Sequence, residues 1–409
     1  MYVRHRLDLS VGDIFFGVFS CGRRLRSEKL EASVLRVCSL EEEGLVCFSV
    51  RSGWDLWLCA QGLRAGDEVL VSAITHPAMI RIIQEHGLRA VPVDIDPGTL
   101  AVRPWMLEAA LTPRTRVVLV AHLFGGRMDL GGIAKFARDS GLLLVEDCAQ
   151  AFQGPKRMGD PAADVSMYSF GTLKTSTALG GAVLRVRDRE VLCRMRGIQA
   201  SYPQQGRGGY SKKLLEVLGL VAVSRPRHYG LLSRACAWLG YDLDTLVGGV
   251  VRGFPPHETA ATFFRRLRHR PSAPLLAMLY RRLRTFDGER LARRASTDER
   301  FARGLRVGDL HPGQRSTQRT HWLFPVVVED PEALILGLRR RGLDASQATS
   351  SIAVVEAPAG CSSPAEASLM MSGVVFLPMY PELPSQAFDI MTGLVNDSAA
   401  PVAAQSVAL

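Results

Sequence analysis

The chain has 409 residues, of which 47% are hydrophobic and 22% are charged. A chain of this length and composition buries a sizeable core and is expected to form two or three domains, or one large domain with a smaller partner. The formal net charge is +10, but residues 201–270 alone hold 11 Lys and Arg against 4 Asp and Glu, which is +7 of that excess. Such a local excess does not indicate a nucleic-acid-binding fold.

The N-terminus lacks the pattern of a secretory signal, because its short apolar run is interrupted by Asp13 and no cleavage-type residues follow. No apolar stretch approaches the roughly 18–20 residues needed to span a bilayer. The eight cysteines are scattered without a Cys-x-x-Cys pair, so neither a metal site nor a redox dithiol is predicted. These features favour a cytoplasmic protein.

In chain order, residues 1–44 form an N-terminal segment and residues 45–200 a large domain. In this domain short apolar runs alternate with helical stretches, which predicts βαβ units and an α/β fold with a mostly parallel, buried sheet sandwiched by helices. Ligands of such sheets bind beyond the carboxyl ends of the strands. Strands are predicted over 69–71, 90–93, 116–121, 142–146 and 164–170, and helices over 56–63, 77–86, 104–110 and 130–140.

Residues 201–270 break this rhythm and are predicted to be a basic, apolar, helical insertion. A Gly-rich loop over 205–209 precedes two apolar helices over 214–223 and 231–239, both flanked by Arg or Lys. Helices of this kind fit contact with an anionic membrane surface through residues 212–239. They equally fit a helical cover over an active site or a dimer interface, which is the interpretation we favour.

The remainder of the chain returns to α/β character. Residues 271–305 are predicted to be a connecting segment with one long helix over 275–305, residues 306–395 a small C-terminal α/β domain, and residues 396–409 a disordered tail. The predicted strands of the small domain are 323–328 and 374–377, and its predicted helices are 331–341 and 384–395.

Lys174 is the first candidate for chemistry. The chain has only six Lys against 44 Arg, and Lys174 follows a predicted strand in a run of small and hydroxylated residues with no acid within nine positions. A lysine in such a setting is expected to have a lowered pKa and to act as a nucleophilic amine. An edge lysine that reaches solvent explains the same local sequence equally well.

Three further features lie at the predicted carboxyl edge of the sheet. Asp147 ends a strand, Ser52 and Gly53 precede a helix whose free N–H groups could bind phosphate, and His76 lies in a loop after another strand. Taken singly, each is also explained by helix capping or by an ordinary loop. Together with Lys174 they form the combination that pyridoxal phosphate requires: a phosphate cradle, a ring-stacking group, a carboxylate for the pyridine nitrogen and a lysine for the aldehyde.

The chain resembles the DegT/DnrJ/EryC1/StrS family, the sugar aminotransferases of the fold type I pyridoxal-phosphate enzymes. The resemblance is specific because two motifs occur in the family's order, first Glu-Asp-x-Ala-Gln and then Ser-Phe-x-x-x-Lys. Either motif alone would be weak evidence for the family. The matching stretches lie within residues 45–200 and 270–395, and they are Ser52–Gly53, Ala65–Val69, Val93–Pro97, His122–Gly125, Glu146–Ala151, Tyr168–Lys174, Gly180–Gly181 and Leu377–Leu383.

The resemblance implies a role for each matching residue. Lys174 would hold the cofactor as a Schiff base and carry protons, while Asp147 would pair with the pyridine nitrogen and Gln150 would contact the ring oxygen. The remaining implied contacts are to phosphate (Ser169 and the backbone of Ser52, Gly53 and Trp54), to the cofactor ring (His76) and to substrate (Arg270 and His321).

The resemblance also implies a homodimer with active sites at the subunit interface, glutamate as amino donor and a keto sugar, usually nucleotide-linked, as substrate. We therefore expect an aminotransferase of amino-sugar, glycan or natural-product biosynthesis. Three departures weaken the expectation about the substrate: Trp54 stands where Thr is usual, Arg268 where Asn is usual, and the insertion has no family counterpart. A different pyridoxal-phosphate reaction on a cyclitol, lipid-linked or carrier-bound ketone is the main alternative, and a non-enzymatic regulator is a third.

Overall fold

The computed structural model describes residues 1–4, 6–224, 226–238, 258–306, 311–316, 318–320, 322–347 and 352–398. The described helices are α1 (Val11–Gly22), α2 (Ser27–Cys38), α3 (Val50–Gln61), α4 (Pro77–Glu85), α5 (Pro104–Ala110), α6 (Gly131–Asp139), α7 (Arg189–Ala200), α8 (Arg207–Val223), α9 (Pro226–Trp238), α10 (Ala260–Leu267), α11 (Ala273–Arg284), α12 (Gly288–Gly304), α13 (Pro331–Arg340), α14 (Ala365–Gly373) and α15 (Ser385–Ser398).

The strands are as short as the apolar runs of the sequence suggest. They are β1 (Gly44–Cys47), β2 (Glu68–Ser72), β3 (Ile74–Thr75), β4 (Arg89–Val93), β5 (Thr115–Ala121), β6 (Gly126–Arg127), β7 (Leu143–Asp147), β8 (Val165–Ser169), β9 (Ala182–Val186), β10 (Gln318–Arg319), β11 (Phe324–Val327), β12 (Ala353–Val354) and β13 (Val374–Leu377).

Seven strands form the main sheet in the order β1-β9-β8-β7-β5-β2-β4. From β8 to β4 every pairing is parallel, and β9 alone runs against its neighbours. The carboxyl ends of β1, β2, β5, β7 and β8 therefore lie at one edge of the sheet. Helices cover both faces over two apolar clusters, so the predicted α/β sandwich with a mostly parallel sheet is confirmed.

The small C-terminal unit is built on the antiparallel pair β11–β13, with α13 and α15 packed over it around a separate apolar cluster. A further cluster joins α1, α2, α8 and α11 beside the main sheet. Among the described residues, no helix combines the length and the apolar character needed to cross a membrane.

Several predicted elements differ from the structure. The helix predicted over 275–305 is two helices, α11 and α12, because Asp287 accepts a hydrogen bond from the N–H of Arg290 and so begins a new helix. The glycine-rich stretch 205–209 is only partly a loop, since α8 already begins at Arg207. Of the tail predicted to be disordered, residues 396–398 end α15 and residues 399–409 lie outside the described part of the chain.

Candidate active site

Asp147 and Ser169 end the neighbouring parallel strands β7 and β8, which brings both to the carboxyl edge of the sheet. The Asp147 carboxylate is buried and accepts a hydrogen bond from the Ala149 N–H at 2.9 Å. Burial raises the pKa of this carboxyl, while the Ala149 N–H and the charge of Lys174 act in the opposite direction. A cationic group placed against Asp147 would relieve the cost of its burial.

Lys174 follows β8 in a tight loop, where its backbone N–H donates to the carbonyl of Gly171 at 3.0 Å. Burial lowers the pKa of Lys174 to about 8, even though the negative charge of Asp147 favours the protonated amine and only the positive charge of Arg51 acts with burial. The sequence-based expectation of a lysine with a lowered pKa is therefore confirmed by its surroundings.

The loop after Lys174 has an unusual backbone. Ser176 and Leu179 are non-glycine residues with φ of 58° and 63°, in the left-handed region. Ser176 N–H donates to the Asp8 carboxylate at 2.6 Å, and Leu179 N–H donates to the Thr177 hydroxyl at 3.0 Å. The N-terminal segment thus holds the Lys174 loop in a conformation that would otherwise be costly.

Trp322 was not identified from the sequence. Its ring centroid lies 3.9 Å from the Lys174 Nζ, and its indole N–H donates to the Leu173 carbonyl at 2.8 Å. A tryptophan about 150 positions downstream carries no local pattern that could connect it with Lys174, so only the packing of the small domain reveals this contact.

The start of α3 differs from the prediction. The helix begins at Val50 rather than at Leu56, because Ser49 and Ser52 form a reciprocal capping box. Gly53 N–H donates to the Ser49 carbonyl at 2.9 Å, so this group already lies within the first helical turn. The predicted phosphate contacts of Ser52, Gly53 and Trp54 stay a proposal, and the N–H groups of Val50 and Arg51 are added to the candidates.

Trp54 and Gly53 face the core. The Trp54 side chain is 0% exposed, stacks on Trp57 with ring centroids 5.4 Å apart and donates from its indole N–H to the Met79 carbonyl at 3.3 Å. A Cβ on Gly53 would come within 2.8 Å of the Leu184 side chain. The glycine is thus required by helix–sheet packing, and the side chain of Trp54 contributes to the core.

His76 is the N-cap residue of α4, and its Nδ1 accepts a hydrogen bond from the Ala78 N–H at 3.0 Å. Burial, together with the positive charges of Arg51 and Lys174, lowers the pKa of His76 to about 3. The ring is therefore neutral at physiological pH, with its proton on Nε2. A neutral flat ring beside Lys174 suits the predicted stacking role, which stays a proposal.

Gln150 and Glu146 stabilise the turns around Asp147. The Gln150 Oε1 accepts from the Phe124 N–H at 2.8 Å. Burial opposes ionisation of Glu146, but hydrogen bonds and charges from His122 and Arg127, with a further hydrogen bond from the Ser166 hydroxyl, outweigh it and lower the pKa of Glu146. This network holds the end of β7 that carries Asp147.

Of the two predicted substrate residues, Arg270 lies within the described part of the chain, and its contacts are with the start of the insertion. The Arg270 guanidinium donates to the Tyr202 carbonyl at 3.0 Å, and its backbone N–H donates to the Pro203 carbonyl, so it braces the start of the insertion. His321 lies outside the described residues. The substrate roles of both residues stay predictions.

Two described clusters have the composition of a metal site, but each of their carboxylates is already paired with arginine. Asp55, near Cys59 and His86, is bound by Arg268, while Glu146, near His122 and Cys148, is bound by Arg127. An arginine in contact with the carboxylate disfavours a metal cation at the same oxygens.

The arrangement fits pyridoxal phosphate. Lys174 can reach an aldehyde, Asp147 offers a buried carboxylate for a pyridinium nitrogen, and the beginning of α3 with Ser169 offers donors for phosphate. The burial of Asp147 supports this fit, because a buried carboxylate requires a cationic partner and the pyridinium nitrogen of the cofactor would be one.

Comparison with known proteins supports this assignment. The model of the DegT/DnrJ/EryC1/StrS aminotransferase family matches residues 22–220. A pleiotropic regulatory protein from Geobacillus stearothermophilus is 33% identical over 46% of this chain and 53% of its own length. The L-glutamine:2-deoxy-scyllo-inosose aminotransferase of Streptomyces fradiae is 38% identical over 36% of each chain. The matched region thus spans about half or less of these two relatives.

Solved structures share the fold over nearly the whole chain. The aminotransferase TlmJ from Streptoalloteichus hindustanus has a TM-score of 0.69 at 22% identity, covering 97% of this chain and 98% of that one. NtdA from Bacillus subtilis, solved with bound cofactor PMP, has a TM-score of 0.64 at 17% identity, covering 97% and 86%. Over residues 22–220, the chain is thus similar to the DegT/DnrJ/EryC1/StrS aminotransferase family, and its fold is that of the solved aminotransferases.

Proposed function

We propose that this protein is a pyridoxal-phosphate-dependent aminotransferase that holds its cofactor on Lys174. The observation that carries the proposal is the placement of Lys174, in the loop after β8, beside the buried carboxylate of Asp147 at the end of the neighbouring strand β7. When bound, pyridoxal phosphate supplies an aldehyde and an electron-accepting ring.

Each residue has a defined task in this proposal. Asp147 orients the ring through its pyridine nitrogen, while Ser169 and the first N–H groups of α3 bind the phosphate. The Lys174 Nζ accepts and returns a proton beside the reacting carbon, which a pKa near neutrality permits. Trp322 packs its ring against the Lys174 amine and limits the directions from which a substrate can approach it.

The test is cofactor binding by the purified protein. Wild type is expected to take up pyridoxal phosphate and to show a visible absorption band from the cofactor bound to lysine. Lys174→Ala is expected to abolish the band, and Lys156→Ala, which removes an exposed lysine bound to Ser39, is expected to leave it intact. A colourless wild type that binds no pyridoxal phosphate would disprove the proposal.

For the substrate we propose a keto sugar, nucleotide-linked as in most of the family, with glutamate as amino donor. The relative from Streptomyces fradiae favours a second candidate, because its name specifies L-glutamine and an inosose. Single-turnover reactions with glutamate and with glutamine distinguish the donors: the correct one converts the cofactor to its amino form. If neither donor does so, the transamination proposal is wrong while cofactor binding stands.

A regulatory role is the third candidate, favoured by the name of the relative from Geobacillus stearothermophilus. A deletion strain complemented fully by Lys174→Ala would support it, because that variant lacks the reactive amine.

We further propose that the protein is a cytoplasmic homodimer. Sedimentation of the holoenzyme tests the oligomeric state, and a monomer at micromolar concentration would count against the homodimer.

A further inference from the structure

A small cavity opens beside Lys174 on the side of the N-terminal segment and the small domain. It holds about 40 Å³ of space accessible to water, and Lys174, Thr175 and Trp322 line it together with four arginines, Arg4, Arg6, Arg290 and Arg294. Since one water requires roughly 10–15 Å³ measured in this way, the cavity has room for about three small groups. That matches the three heavy atoms of a carboxylate.

Three of the four arginines are already neutralised. Arg4 contacts Asp344 at 2.9 Å, Arg6 contacts Glu382 at 3.6 Å, and Arg290 contacts both Asp8 at 3.3 Å and Glu382 at 3.2 Å. These pairs tie the N-terminal segment to α12 and to the small domain. These three arginines form part of the cavity wall, and the carboxylates paired with them balance their charges.

Arg294 differs from the other three. It is 9% exposed, and its hydrogen bonds go to neutral oxygens, the Thr320 carbonyl at 2.9 Å and the Thr175 hydroxyl at 3.4 Å. Within the described part of the chain no carboxylate lies at ion-pair distance from Arg294. Asp298, one turn further along α12, attracts it electrostatically, but burial raises the pKa of Asp298 well above its usual range.

A buried guanidinium without a carboxylate partner is costly, and its remaining donors suit a two-pronged contact with an anion. Because Arg294 bonds to the residue directly after Lys174, an anion on Arg294 lies close to the reacting amine. In an α-amino acid the carboxylate and the amino group share one carbon, so this geometry fits such a molecule.

We propose that Arg294 binds the α-carboxylate of the amino donor in the cavity beside Lys174. This inference rests on the proposed aminotransferase function and specifies where its amino-acid substrate docks. The outer ion pairs of Arg4, Arg6 and Arg290 close the cavity around the carboxylate and leave Arg294 as the group that recognises it.

The experiment follows conversion of the cofactor-loaded enzyme to its amino form by L-glutamate, L-glutamine and L-alanine. Arg294→Met is expected to raise the half-saturating concentration of every amino acid that wild type accepts by on the order of tenfold or more, as loss of a charge-assisted hydrogen bond predicts. Propionate, which is alanine without its amine, is expected to inhibit wild type competitively and Arg294→Met much less.

The matched control is Arg293→Met, the adjacent residue on α12, whose guanidinium is exposed and paired with Asp287 and Glu289. It is expected to behave as wild type. Arg294→Lys keeps the charge without the two-pronged geometry, and an intermediate increase is expected from it even if Arg294→Met folds poorly. The cofactor absorption band and its affinity are expected to be unchanged in all three variants.

Four outcomes would overturn the inference. If Arg294→Met leaves the half-saturating concentrations of the amino acids unchanged, their α-carboxylate binds elsewhere. If only the half-saturating concentration of glutamate rises, Arg294 binds the side-chain carboxylate of glutamate. A loss of cofactor affinity equal to the loss of donor affinity would show a structural role. In these three cases the proposed function stands. A cofactor-loaded wild type that no amino acid converts would overturn both proposals.

Discussion

The ammonium of Lys174 lies 3.9 Å from the centroid of the Trp322 ring, in a loop held by Asp8 and Thr177. These surroundings displace water, and the charged form of the amine loses solvation that neighbouring groups do not fully replace. The pKa of about 8 follows from this loss. A substantial fraction of the amine is therefore neutral and nucleophilic at physiological pH, which a solvated lysine cannot achieve.

Uptake of pyridoxal phosphate by the cofactor-free protein should depend on pH accordingly. The lowered pKa means that the amine loses its proton near pH 8 instead of 10.5, so the uptake rate is expected to rise with pH and to level off above about pH 8. Stopped-flow absorbance from about pH 6 to about pH 11.5, a range that includes both expected midpoints, measures this dependence. The reference is N-acetyl-lysine amide, whose reaction should follow a midpoint near 10.4. If the protein showed the same midpoint as this reference compound, the lowered pKa of Lys174 would be refuted.

Arg268 stands at a position where the chain departs from the family pattern, and the structure shows its contacts. The family resemblance places it where an asparagine reaches the neighbouring subunit's site. In this structure its guanidinium donates to both oxygens of Asp55, at 2.9 and 3.0 Å, and Asp55 is 0% exposed. His86 binds the same carboxylate at 2.8 Å. The observed contacts thus assign Arg268 to an ion pair within its own subunit.

At the scale of elements, this ion pair fastens the end of α10 to α3. Arg268→Ala would leave the Asp55 carboxylate buried with His86 as its remaining partner. Because Arg268 is itself partly exposed, we expect a loss of about 2 kcal/mol in the free energy of unfolding, below the 3–5 kcal/mol typical of fully buried pairs. Urea denaturation of wild type and Arg268→Ala measures this difference in the free energy of unfolding.

Arg265→Ala is the matched control, since Arg265 is exposed on the same helix and its hydrogen bond goes to Thr262. We expect a change within about 0.5 kcal/mol for this variant. If Arg268→Ala instead weakened cofactor binding at unchanged stability, the intersubunit role suggested by the family would be correct and the structural role assigned here would be wrong.

Element boundaries were predictable where apolar runs end abruptly. β2, β4, β5 and β7 each begin and end within one residue of the prediction. The start of α3 was missed because Gly53 suggested a turn before the helix. Gly53 instead lies inside the helix, where Leu184 leaves no room for a Cβ. A close approach between a helix and a strand distant in sequence leaves no local signature.

At the scale of the whole molecule, the first helix of the insertion packs against the rest of the protein. Tyr210, Leu214 and Val217 of α8 are buried, and the Tyr210 hydroxyl donates to the Ala178 carbonyl at 2.9 Å, next to the Lys174 loop. Leu231 and Trp238 of α9 are exposed. α8 thus packs against the loop that follows Lys174, and the hypothesis of a cover stays a prediction. The membrane alternative depends on α9 and on residues outside the described part of the chain.

We expect no co-sedimentation with vesicles of phosphatidylcholine and phosphatidylserine at physiological salt, because α8 uses its apolar face against the protein. The control is a vesicle preparation of phosphatidylcholine alone. Binding that requires phosphatidylserine and disappears on deletion of residues 212–239 would establish the membrane alternative.

The sequence by itself determined the α/β class, five of the seven strands of the main sheet and the residues at its carboxyl edge, because apolar periodicity and strand-end polar residues are local properties. Lys174 and Asp147 could be found in this way. The tertiary structure alone decided that Trp322 covers Lys174, that Arg294 bonds to Thr175 and that Arg268 binds Asp55. Each of these contacts joins residues more than 100 positions apart, and only the packing of domains and helices brings them within reach.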